Sequence, residues 1–473
     1  MQRPIRVPAT ALAAATLALG LAAGALATPP AAAAHRKHAA HRHRRSPPPP
    51  QVKVTPDLGL GGVTTTMQPV GLSIEYSVMA QDLGTSPCPP SALVSELEQL
   101  GSPPLALSGD TQDSTAPSGA LGSPASSWEE ATAYTLPASF WSQLQCLLSA
   151  TRDPLAVGLN ARTGTASWAA QMVSGAQSAA TNGLEFSLGN EPDLYELPNY
   201  AELDKPLGDE EAADVNTYLQ VAEQLRPAVG GAGVIGPELA RPAHWRQQLP
   251  RVISQLRLQT VGVHMYPLTT CATPKAVTIG GLLSKEAADQ PDSIAWVVAD
   301  AGAAGVPAII SEANSASCGG VSGVSDSPAA AVWAVRFVLS ALETGFRQVR
   351  FHFSGGPYDP FLVSGEQVLT RPLCAALVAL NQWLPVGSSL RELAGVRGLA
   401  VSAVSQPGGA TVLILDNQRR RPAPVRLRGV SGASEQVLSE SGAGAPGVPL
   451  GTHGGLAKLV IAPNSVVAVT IPS

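Results

Sequence analysis

Positive charge is scarce in this sequence once its first fifty residues are set aside. Seven of the 30 Lys and Arg lie in residues 1–50, with no acid among them, which leaves 23 against all 35 Asp and Glu in the remainder. A net-acidic body lacks the basic surface that phosphate backbones require, so the reading excludes nucleic acid as a partner. Cysteine is sparse too, with five in 473 residues, too few for a disulfide-built scaffold. Beyond the N-terminal segment no C-x-x-C pair or close Cys and His set occurs, so no zinc-site spacing is present. After the first thirty residues no stretch is apolar enough to span a bilayer, and no fixed-period repeat is found. With 45% hydrophobic residues the chain is long enough for one large domain and a smaller one.

The start of the chain reads as an export signal. Arg3 and Arg6 precede an apolar run from Ala9 to Leu26, and Ala25-Leu26-Ala27 offers a small-residue cleavage site before Thr28. The expectation is a secretory signal over residues 1–27 and a secreted, extracellular chain without stable membrane insertion, because Ala and Gly leave the run only weakly apolar. Residues 28–50 (TPPAAAAHRKHAAHRHRRSPPPP) have nothing to bury and read as a disordered, extended linker. Its four histidines alternate with Arg, which repels a metal cation, so the segment reads as a basic spacer suited to an anionic cell envelope.

From Pro69 onward, short apolar strand patterns alternate with longer helical ones. Strand patterns cover Val70 to Tyr76, Pro104 to Leu107, Pro154 to Leu159, Leu184 to Leu188, Gly233 to Ile235, Thr260 to His264, Ala308 to Ser311 and Gln348 to Phe353. Eight strands with helices between them predict a closed (β/α)8 TIM barrel over residues 67–382. Past Gln382, strands joined by Gly and Pro turns predict a C-terminal all-β sandwich over residues 383–473, with residues 51–66 adding an N-terminal strand to it. Cys271 and Cys318 follow the sixth and seventh candidate strands, so a disulfide across the rim is open to them, as is one between Cys88 and Cys146. Cys374, inside LCAALVAL, reads as a buried thiol.

Chemistry concentrates after two strands. Leu184 to Leu188 runs into Gly189-Asn190-Glu191-Pro192, and Ala308 to Ser311 into Glu312-Ala313-Asn314. A carboxylate at the C-terminal end of an apolar strand faces the barrel mouth or is paired. Two such groups from different strands match glycoside hydrolysis, where one protonates the leaving oxygen and the other attacks the anomeric carbon or assists there.

The segments SLGNEPDLY (Ser187 to Tyr195) and SEANSASCGGVSGVSDS (Ser311 to Ser327) resemble motifs of glycoside hydrolase family 79, the β-glucuronidase and heparanase family. HMYPLTTC (His264 to Cys271) and FHFSGGPYDPF (Phe351 to Phe361) are similar as well, and the likeness covers most of residues 67–473. Asn-Glu-Pro recurs throughout the barrel-glycosidase clan, so Glu312 to Asp326 carries the specific signal. The resemblance implies Glu191 as general acid/base and Glu312 as nucleophile, with retention at the anomeric carbon and no metal or organic cofactor. It implies Asn190 on the adjacent sugar hydroxyl, Tyr266 donating to Glu312, and His264 on the same rim. Glu75 and Asp110 match positions that hold the sugar ring, and backbone around Gly319 and Gly320 with the Tyr358 hydroxyl matches the site of a uronate carboxylate. His352 and His244 read as structural.

One departure from the family stands out. Relatives often carry Leu-Arg-Ile-Gly-Gly-Asn on the second strand, where this chain has Leu105-Ala106-Leu107-Ser108-Gly109-Asp110. Losing that cation and gaining an acid both tend to raise the pKa of Glu312. With 4% aromatics there are few stacking platforms for a long polysaccharide, which leans towards exo cleavage of a terminal sugar. The expected function is a secreted retaining β-glucuronidase acting on a uronic-acid-containing carbohydrate. A glycan-binding protein on a degenerate glycosidase scaffold, and a retaining β-glycosidase for a neutral sugar, are the competing readings.

Overall fold

A computed structural model of the chain describes residues 51–53, 62–120, 134–195, 214–271, 277–396, 398–439, 441–444, 448–453 and 456–473. The signal and linker segments expected over residues 1–50 lie outside the described residues. Eight parallel strands close on themselves: β1 (Val70–Ile74), β2 (Leu105–Leu107), β3 (Leu155–Leu159), β4 (Leu184–Leu188), β5 (Gly233–Leu239), β6 (Thr260–Met265), β7 (Ala308–Ala313) and β8 (Val349–Phe353). The last pairs with the first, Val349 opposite Val70 through Phe353 opposite Ile74. The predicted (β/α)8 barrel is therefore present. Its fifth strand runs four residues past the expected end at Ile235, because the pattern is interrupted by Gly236-Pro237, which reads as a turn in sequence.

Period-two alternation explains how the strands serve two environments. In β8, Val349, Phe351 and Phe353 join the main apolar core, and the alternate residues Arg350 and His352 are buried among polar groups. Ala106, Ala156, Ile235 and Ile309, one each from β2, β3, β5 and β7, form a small separate cluster. Ala106, which stands at the arginine position of the resembled motif, belongs to that cluster and lines a minor cavity together with Glu238, Ser311 and Arg350. Gly158 is required by close approach: a Cβ there would lie 1.9 Å from Oε1 of Gln112, whose side chain crosses β3.

Among the described residues two sheets form the C-terminal domain, an antiparallel one of eight strands and a mixed one of four. Strands Ser389–Val396 and Leu399–Ser405 were not legible in sequence. Thr411–Asn417 reads as a continuous apolar run because both its faces are covered. Val412 and Ile414 belong to the barrel-side core, whereas Leu413 and Leu415 pack in the second core between the sheets. Gln51–Lys53 pairs in parallel with Ala423–Arg428, and Val63–Thr64 pairs with the start of Ser389–Val396, so the chain passes through this domain before entering the barrel.

The helix Pro328–Thr344 lies between the two domains and is buried from Ala329 through Leu339, which is why its sequence is apolar on all sides. Pro328 begins it and Gly345, at φ 111°, ends it. From this helix Arg336 donates Nε and Nη2 to Asp416 at 2.8–3.0 Å, with both side chains buried.

Candidate active site

The strand ends open on a cavity of about 530 Å³, within the roughly 300–1,000 Å³ typical of small-molecule sites. Glu75, Asp110, Glu191, His264, Tyr266, Glu312, Gly319 and Tyr358 all line it. Asn190 and Gly320 do not. Asn190 is buried behind Glu191, with its backbone N–H donated to Asp113 Oδ2 at 3.0 Å. Gly320, at φ 79°, packs against Ser325 and Tyr358, where a Cβ would come within 2.7 Å of the Ser325 hydroxyl.

Local backbone geometry aims both acids. Alternation places Ile309 and Ser311 of β7 on the inner face and would turn Glu312 outward. Instead the register slips by one residue, since Val263 pairs with Ile310 but His264 pairs with Glu312, and such an irregularity re-aims a side chain. Glu191 adopts the left-handed conformation, φ 48° and ψ 50°, and Pro192 then opens a short 3-10 turn. Glu191 donates its backbone N–H to the carbonyl of Glu238 at 3.0 Å. Asp193 accepts the backbone N–H groups of Ala240 and Arg241, tying the end of β4 to that of β5. Left-handed backbone costs a residue with a side chain of order 1–3 kcal/mol, yet Glu191, Glu238 and Cys318 all carry it beside this cavity.

Tyr266 donates its hydroxyl to Glu312 Oε1 at 2.7 Å. Glu312 Oε2 is buried and has no hydrogen-bond partner among the described residues; His352 Nδ1 lies 3.4 Å from it. His264 presents Nδ1 to Glu191 Oε1 at 2.9 Å and to Glu312 Oε1 at 3.6 Å, and Nε2 to Glu238 Oε2 at 3.3 Å. Burial raises the Glu312 carboxyl above the usual carboxylate range, with Glu191 adding to the rise and His352, His264 and Tyr266 opposing it. Burial opposes charging of His352, but the charges of Glu312 and Glu75 overcome it and lift this histidine to about 9.

His352 is therefore not a structural histidine of the barrel wall: it lines the cavity and stands as a cation beside Glu312. The signal in sequence was the alternation of VRFHF, which puts it on the inner face at a strand end. Glu75 lines the wall, but its oxygens already accept from the backbone of Asp110 and Thr111 and from the Thr111 hydroxyl, with His352 Nε2 3.4 Å away. Gly109, at φ 88°, permits that approach, because a Cβ there would lie 2.4 Å from Glu75 Oε1. Glu238 was missed because its strand read as ending at Ile235.

Disulfides join Cys271 to Cys318, across the loops after β6 and β7, and Cys88 to Cys146. Cys374 is a free, buried thiol that burial keeps protonated. Glu191, His264 and Glu312 bring potential metal ligand atoms within 4.8 Å of one another. However, both His264 nitrogens face carboxylates, which favours the protonated imidazole over a metal-ligating one. No helix among the described residues is long and apolar enough to cross a membrane.

No family model matches the chain, and no curated protein matches it by sequence. Solved structures do match. The chain is similar to a 4-O-α-L-rhamnosyl-β-D-glucuronidase from Fusarium oxysporum 12S, with 18% identity and a TM-score of 0.66 over 87% of this chain and 97% of that one. It is similar to a GH51 arabinofuranosidase from Xanthomonas axonopodis pv. citri, with 11% identity and a TM-score of 0.62 over 89% and 99%. A GH30 endoxylanase from Clostridium papyrosolvens C71 matches with 12% identity and a TM-score of 0.53 over 88% and 98%. The chain therefore has the fold of the barrel glycosidases, an eight-stranded parallel barrel followed by a β-domain.

Proposed function

We propose that this chain is an exported retaining β-glycosidase of the family 79 kind, which removes terminal glucuronic acid from a glycoside or glycan. The observation that carries the reading is that an oxygen of Glu191 lies within 4.8 Å of an oxygen of Glu312. Retaining enzymes hold their carboxyl groups about 5–5.5 Å apart, whereas inverting ones leave about 6.5–9.5 Å for a water. In the first half-reaction the Glu312 carboxylate attacks the anomeric carbon while Glu191 protonates the departing glycosidic oxygen, so a glycosyl ester bond forms as the glycosidic C–O bond breaks. In the second, Glu191 takes a proton from water, whose oxygen displaces Glu312. The hydrogen bond from Tyr266 to Oε1 fixes the orientation of the Glu312 carboxylate.

Uronate as the sugar is supported by Gly319 and Tyr358 in the cavity wall and by the name of the Fusarium protein. Gly320, behind the wall, favours the competing neutral-sugar reading. Export is supported by the N-terminal segment and by two disulfides, which suit an oxidising compartment. Hydrolysis of chromogenic β-D-glucuronide, β-D-glucoside and β-D-xyloside is the test, with the product anomer followed by NMR. Turnover of the glucuronide alone with a β-configured first product is expected. Turnover of only a neutral glycoside would move the assignment to that sugar, and binding without turnover would make the protein a glycan-binding scaffold.

The pH dependence follows from the site. With His352→Gln the cation beside Glu312 is gone, and its carboxyl, already raised by burial, rises further. Glu312 must be ionised to attack, so activity is lost at the acidic end first. The acidic limb of the kcat/KM profile is expected to move up by about one pH unit.

A further inference from the structure

In β5 the register against β6 slips at one residue: Gly262 pairs with Pro237 and Val263 with Leu239, so Glu238 is the additional residue. It is buried, its φ is 58°, and it lies beside a glycine, since a Cβ on Gly262 would come within 2.6 Å of its Oε2. Buried charge and strained backbone together mark a carboxylate that the surrounding structure holds in place. The Ser311 hydroxyl donates to it, and His264 Nε2 lies 3.3 Å away.

The His264 imidazole thus stands between three carboxylates from three strand ends, Glu191, Glu238 and Glu312. Both of its nitrogens face acceptors, so the doubly protonated ring satisfies the site where a neutral ring leaves one contact repulsive. On the proposed glycosidase reading, two of those three carboxylates change charge during turnover. Glu312 becomes an uncharged ester, and Glu191 gains and loses a proton. Glu238, which does not line the main cavity, forms no bond and exchanges no proton in either half-reaction.

Resting on that reading, we propose that Glu238 is a positioning residue, the constant counter-ion that holds His264 as an imidazolium so that its Nδ1–H is donated to Glu191 in both half-reactions. That hydrogen bond stabilises the Glu191 carboxylate as its proton passes to the leaving oxygen, and it keeps the same carboxylate oriented to receive the proton of the attacking water. Burial opposes the charge on His264, but Glu312, then the hydrogen bonds to Glu191 and Glu238, raise it well above the ordinary histidine value. The other charged or titratable groups facing Glu238 are Arg350 from β8 and Tyr218 from the helix Val215–Val229.

The test is the Glu238→Gln variant, read first by the imidazole nitrogen and proton NMR signals of His264 between pH 5 and 9, in the intact chain without substrate. His264 is expected to keep its charge to a higher pH than a free imidazole in the parent protein and to lose it at least about one pH unit lower in the variant than in the parent. On the hydrolysed glycoside, kcat is expected to fall about tenfold with little change in KM, a fraction of the roughly 10²–10⁴-fold that proton transfer supplies. Glu238→Asp, which keeps the charge, is expected to restore the His264 signal and most of kcat, and Glu238→Ala, which also removes the charge, serves as the readout if the glutamine variant does not fold. Identical His264 titrations in the parent and in the variant that folds without the charge overturn the inference, as does an unchanged kcat. A shifted titration in a chain that hydrolyses no glycoside leaves the counter-ion role standing and overturns the glycosidase reading instead.

Discussion

Replacing Glu312 with glutamine is expected to lower kcat/KM on the hydrolysed glycoside by at least about 10⁴-fold, the scale on which removal of a nucleophile acts. The amide is nearly isosteric and still accepts the Tyr266 hydroxyl, whose oxygen lies 2.7 Å from Oε1 in the parent, so the loss is chemical rather than structural. An uncharged amide cannot form the glycosyl ester, and the cations His264 and His352 then face no anion at this position. Steady-state kinetics beside an unchanged thermal unfolding transition checks this. A parallel mass measurement with a slow fluorosugar should find the sugar bound to the peptide carrying Glu312 in the parent protein and nowhere in the variant. Residual activity within tenfold of the parent would remove Glu312 from the nucleophile role and with it the retaining assignment.

The second large effect concerns stability. Asp416→Ala leaves the Arg336 guanidinium, whose side chain is 4% exposed, without its carboxylate partner at the junction of barrel and β-domain. Stranding one member of a buried ion pair costs about 3–5 kcal/mol. That is a large share of the roughly 5–15 kcal/mol that holds a typical protein folded. The measurement is urea unfolding followed by tryptophan fluorescence, which is well placed because Trp333 lies on the same helix, fully buried. A change below about 1 kcal/mol would mean that water reaches Arg336 and takes the place of Asp416. The same ion pair explains why the buried stretch of this helix carries an arginine: its charge meets Asp416 near the end of the interior sheet strand Thr411–Asn417.

Much of the architecture was legible because period and punctuation are local properties. The stretch TVGVHM shows its two faces directly, with Val261, Val263 and Met265 in the apolar core and His264 facing the acids. Where punctuation misled, the cause was equally local: Gly236-Pro237 reads as a turn, yet β5 continues through it to Leu239. Two strands, Ser389–Val396 and Leu399–Ser405, escaped notice because polar residues and glycine dilute their alternation. The site divides in the same way. Glu191 and Glu312 announced themselves as acids ending apolar runs, whereas His352 looked like a wall residue among phenylalanines.

By itself the sequence determined the alternation of strands and helices, the all-β character of the C-terminal part, and two glutamates at strand ends 121 positions apart. Only the tertiary structure decided how those glutamates are aimed and charged. A one-residue slip in strand register, as at Glu238 and Glu312, depends on what the neighbouring strand pairs with, which no local pattern records. The charge on a buried group depends on distances of 3–4 Å to residues brought from other strands, as between His352 and both Glu75 and Glu312. Closure of the barrel sets those distances and brings His264 and His352 within 3.6 and 3.4 Å of Glu312.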